Sequence, residues 1–103
     1  MKLVSLAPVL LALREQMSDP AWFARAMEEI RTSPLIDAGP NPTAIDLVEV
    51  MLVLSGATES AIDAIGDAFA ATEDEVLAEM DRHPEWDSRQ VCLFHLGAAA
   101  RWA

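Results

Sequence analysis

Cys92 and His95 stand three residues apart in the sequence, which places a thiol and an imidazole on one face if the stretch is helical. That pairing raises two chemistries, a nucleophilic thiol with its base and a zinc site. Zinc takes four convergent ligands in a structural site and three plus a water in a catalytic one. The chain holds one Cys and two His, with His83 and Asp87 the nearest further ligands. A nucleophilic pair wants a third, orienting group across a cleft, and neighbouring turns of one helix are a poor way to assemble it. The surrounding run, Val91 to Leu96, is apolar, so Cys92 is expected in the core and His95 at its edge or facing a partner. Neither a metal nor a cofactor is expected, and a non-enzymatic role is the reading adopted.

Carboxylates are the other chemistry-bearing groups. No spacing among them argues for a glycosidase pair, which needs two carboxyls across a cleft with separated pKa values. Gly56 and Gly66 belong to no phosphate-binding loop, and the acids do not follow a calcium-loop pattern. An acyl-carrier domain would be small, acidic and helical too, but it needs a modifiable Ser at the start of a long internal helix. Asp87-Ser88 is followed by Arg89 and sits near the end of the sequence.

What the acids do show is clustering. The chain of 103 residues carries 17 acidic and 7 basic side chains, a formal charge of −10. Ten of the acids, from Glu59 to Asp87, face a single base, Arg82, within that stretch. Glu59, Asp63 and Asp67 recur every fourth residue and so form a stripe on one helical face, rising about 6 Å from one to the next. Like charges at that spacing cost a helix a few tenths of a kcal/mol per pair, so helix stability does not explain them. Glu73, Asp74 and Glu75 differ, because acids in a first turn are favoured by the helix dipole. A chain with one lysine, Lys2, and this charge is not a direct nucleic-acid binder.

The elements that position these residues follow from stop and start signals. With 52% apolar residues the chain is too apolar to stay disordered, and its length suits one domain, residues 1–103. Ser5 is expected to cap a first helix running to Met17. Its apolar start, Leu3 to Leu13, imitates a secretory signal, but bulky Leu13 and Arg14 follow Ala12 where a small-residue cleavage site would stand. Asp19-Pro20 opens a second helix with Trp22, Phe23, Ala26, Met27 and Ile30 on its inner face. Residues 33–42, with three prolines and a glycine, form a loop.

Thr43 with Asp46 reads as a capping box for a third helix, Ala44 to Ser55, stopped by Gly56. Its apolar residues cover nearly the whole circumference, which predicts the central helix of the fold. Thr58 caps a fourth helix with Ile62, Ile65 and Phe69 inward. Thr72 with Glu75 reads as a capping box for a fifth helix with Val76, Leu77 and Met80 inward, and His83-Pro84 ends it. Asp87 with Gln90 has the spacing to cap a sixth, Ser88 to about Trp102. No strand pattern competes, and no apolar run approaches the length of a membrane span. The fold class expected is all-α, a compact bundle of five to six short helices.

The functional expectation is a protein-binding module. Its partner-binding residues are Glu59, Asp63, Asp67, Glu73, Asp74, Glu79, Asp81, Glu85 and Trp86, an acidic surface with an aromatic anchor. The partner expected is a basic protein, in the sharpest form a nucleic-acid-binding one whose groove is blocked stoichiometrically, as small phage-type inhibitors do. The alternative is a structural or assembly protein forming a homo-oligomer through apolar helix faces. No membrane contact is expected, and a single cysteine suits the reducing cytoplasm.

Overall fold

The computed structural model describes residues 6–36, 39 and 41–102. Among them the chain forms six helices, α1 (Ala7–Met17), α2 (Pro20–Thr32), α3 (Ala44–Leu54), α4 (Glu59–Ala71), α5 (Glu73–Arg82) and α6 (Ser88–Trp102), and no strand. The all-α bundle read from the sequence is the fold. The Ser5 cap lies outside the described residues. Leu6 takes the position before α1, and its carbonyl accepts from the Leu10 amide at 3.1 Å.

Side-chain caps set most of the boundaries. The Asp19 carboxylate accepts from the amides of Ala21 and Trp22 at 3.0 and 3.4 Å, with Pro20 in the first turn where no amide is needed. Thr43 and Asp46 form the reciprocal box, with Thr43 N donating to Asp46 at 2.7 Å and Asp46 N to the Thr43 hydroxyl at 3.3 Å. Asp87 and Gln90 do the same for α6, at 2.9 Å in both directions. α3 ends on Gly56 at φ +79, where the Gly56 amide donates to Val53 O and the Ala57 amide to Leu52 O. That is the paired carbonyl closure a left-handed residue permits.

The capping box expected at Thr72 does not form. Thr72 is at once the residue that follows α4 and the residue before α5, so no linker frees its side chain to turn forward. Its buried hydroxyl donates back to Ala68 O at 2.8 Å, and Glu75 instead pairs with Arg101 across the α5–α6 contact at 2.8 Å. The turn is held by a buried hydroxyl rather than by an exposed cap.

The centre of the bundle is α6, which corrects the expectation for α3. α6 packs against α1 most extensively and also against α3, α4 and α5. Gly97, Ala98, Ala99 and Ala100 are buried in succession, which requires neighbours all round the helix. Their small side chains let α1 approach closely, and Leu10, Met17 and Leu96 fill the space between. Each such fully buried aliphatic side chain contributes about 1.5–3 kcal/mol. α3 buries Ala44, Leu47, Val48 and Leu52 but leaves Val53 64% and Leu54 76% exposed. Apolar residues on every side of a helix report a hydrophobic helix, not how many neighbours reach it. On α5 only Val76 is buried, and Leu77, expected inward, is 50% exposed, because this short helix offers one line of contact to α6. Among the described residues no helix is long and apolar enough to cross a membrane.

Candidate functional site: an acidic rim beside an apolar cleft

Glu59, Asp63 and Asp67 lie exposed along α4, on the shared face their spacing requires, and none forms an ion pair among the described residues. Glu73 and Asp74 are exposed in the first turn of α5, and Asp81 is exposed at its other end. Three arginines pair elsewhere: Arg31 with Glu28, Arg82 with Glu79, and Arg101 with Glu75. Arg89 donates to Ser18 O at 3.2 Å and closes the end of α1. The stripe is therefore left with its charge uncompensated among the described residues.

The other expected partner-binding residues have partners of their own. Glu79 faces Arg82 and, at 3.6 Å, His83 Nε2, while Glu85 meets His83 Nδ1 at 3.1 Å. A backbone hydrogen bond to Glu85, followed by the one from His83, holds its carboxyl below the ordinary value of 4.5. Trp86 is half-buried, stacked on His83 with ring centres 4.3 Å apart and tilted against Phe94 at 5.7 Å. Trp86 thus closes the edge of the core, and Glu79 and Glu85 hold His83 in place beneath it.

Cys92 is 2% exposed, and burial pushes its thiol up to about 12. At neutral pH it stays protonated, which removes the nucleophile from the Cys-His pair. His95 donates from Nε2 to the Phe69 carbonyl at 2.9 Å, since a carbonyl only accepts, and its ring meets Phe69 edge-on at 4.4 Å. The imidazole fastens α6 to α4. No group of three or more His, Cys, Asp or Glu is placed to hold a metal among the described residues.

Sequence reasoning did not locate the cleft that these residues line. One hollow of about 300 Å³ is walled by Ile45, Met80, Trp86, Val91, Cys92 and His95. A second, of about 180 Å³, is walled by Ile45, Val48, Leu52, Ile62, Phe69 and His95. Because both share Ile45 and His95, they are two ends of one cleft between α3 and the α4–α6 pair. Elsewhere, an apolar hollow of about 600 Å³ opens between α1, α2 and α3, lined by Val9, Leu13, Trp22, Met51 and Leu54. The exposed end of α3 stands beside it.

Compared with protein-family models, curated proteins and solved structures, the chain matches none of them.

Proposed function

We propose that this chain is a stoichiometric, non-catalytic binding module that covers a basic surface of a partner protein, in the sharpest form a nucleic-acid-binding surface. The observation that carries the reading is the α4 stripe. Glu59, Asp63 and Asp67 are exposed and without ion pairs among the described residues, although the arrangement works against the helix that bears them. Carboxylates repeating at about 6 Å suit a row of Lys and Arg that otherwise meets phosphates, and the negative field speeds encounter. A cytoplasmic home fits the free Cys92.

The test compares the wild-type chain with Asp63→Lys/Asp67→Lys, each immobilised and exposed to host extract. The wild-type is expected to retain Lys- and Arg-rich proteins that leave with rising salt and are displaced by duplex DNA. The variant is expected to retain none of them. The reversal at position 63 gains an attractive partner in Glu59 and the pair at 63 and 67 stays like-charged as before, so α4 loses no favourable pair and the variant keeps its fold. Equal retention by both overturns the acidic-surface reading.

A second reading rests on the exposed end of α3. Val53 and Leu54 protrude beside the uncharged hollow between α1, α2 and α3, so one face offers both a knob and a hole. A two-fold contact between copies needs that combination on a single patch. Self-association through this face is the assembly role.

A further inference from the structure

The cleft beside the stripe has the composition of a recognition groove. Its lining is apolar apart from a few groups, and the charged residues on it, Glu49 on α3 and Asp87 before α6, are both acidic. No Lys or Arg lines either hollow. On α4, Ile62, Gly66 and Phe69 face the cleft, while Glu59, Asp63 and Asp67 lie about a quarter turn further round. An apolar floor is thus bordered by acids from three elements. The α4 acids alone extend about 12 Å along the helix axis, further than one small cation reaches.

We infer that this cleft seats an amphipathic basic helix of the partner. Its apolar side chains, about 6 Å apart on successive turns, enter the two hollows on either side of His95. Its Lys and Arg residues meet Glu49, Asp87 and the α4 stripe. The inference rests on the acidic-surface reading and adds to it the form in which the basic partner presents itself. Charge selects a basic chain, and the paired hollows select one that carries apolar residues on a single helical face.

Gly66 supplies an unusually clean test. It lines the smaller hollow, and a Cβ built there meets nothing within 4 Å, so the helix admits a side chain at this point of the cleft wall. Gly66→Leu changes no charge and raises helix propensity. The probes are two synthetic peptides of about 15 residues with identical Leu and Lys content. One carries its Leu residues on a single helical face, and the other scatters them around the circumference.

Binding is followed at low salt by amide chemical shifts of the whole chain. The amphipathic peptide is expected to shift Ile45, Val48, Gly66 and His95 and to bind about tenfold more tightly than its isomer. Gly66→Leu is expected to remove that advantage while the melting temperature holds or rises. Equal binding of the two peptides, shifts away from the cleft, or indifference to Gly66→Leu overturns the inference. If Asp63→Lys/Asp67→Lys still weakens both peptides in that case, the acidic surface stands without the cleft. Failure of both peptides to bind overturns both readings.

Discussion

A cysteine and a histidine one turn apart turned out to be two structural groups with different duties. Cys92 lines the floor of the larger hollow yet is almost wholly buried, and loss of water pushes its thiol from 9.0 up to about 12. Because the folded value lies above the unfolded one, the group's contribution to stability is whole below pH 9.0 and is lost as pH rises toward about 12. Alkylation at pH 8 is therefore expected to follow global unfolding, with the rate rising in denaturant along the unfolding curve. Fast labelling in the native state would show that the floor of the larger hollow admits reagent to the thiol. Cys92 in the core was legible because its neighbours from Val91 to Leu96 are apolar. The hydrogen bond from His95 to Phe69 was not, since nothing local to either residue announces a contact across 26 positions. The charged stripe lies at the opposite extreme: residues four apart on an exposed helix face share that face whatever the rest of the chain does.

At the scale of elements, caps were readable and packing was not. Asp19, Thr43, Thr58 and Asp87 each satisfy amides within three residues, so the sequence contains both partners of every bond. Thr72 carries the same signature and yet bonds backward, because two helices meet at it and its side chain is buried. The exchange of α3 for α6 at the centre has a similar cause. Bulky apolar residues on α3 advertise transfer free energy, whereas Gly97 to Ala100 advertise little and are buried because small side chains admit neighbours. Gly56, just beyond α3, and Gly66, within α4, make a matched pair. Gly56 holds φ +79 with open space around it, and Gly66 is helical with equally open space. Alanine at Gly56 is expected to lower stability by about 1 kcal/mol, and alanine at Gly66 to raise it by about 0.4–1 kcal/mol. Thermal melts of the two variants check both signs, and a shared sign would contradict the backbone argument.

Across the described residues, charge is unevenly spread. The stretch from Glu59 to Asp87 holds ten of the 17 acids, while the exposed apolar side chains Val9, Leu11, Val53 and Leu54 on α1 and α3 lie outside it. The two candidate surfaces therefore answer salt in opposite directions. Binding of a basic partner weakens as salt screens attraction, whereas pairing of two copies, each of charge −10, strengthens as salt screens repulsion. Sedimentation at micromolar concentration is expected to show more dimer at about 0.5 M salt than at about 0.05 M. A monomer at both concentrations removes the self-association reading and leaves the acidic surface untouched. The segregation of charge was visible in sequence, but the cleft was not, because Ile45, Ile62 and His95 come together only when three helices have packed.

The position of α6 has a consequence for how the protein is made. The helix that organises the bundle is the last of the six to leave the ribosome, and its partner α1 is among the first. The bond from Arg89 to Ser18 already spans 71 residues. Until α6 emerges, α1 and α3 pack chiefly on α2 and α4 chiefly on α5, and the apolar faces they turn toward α6 stay open. Closure of the bundle during synthesis is thereby deferred until α6 is made, with a long window in which those faces are open to chaperones.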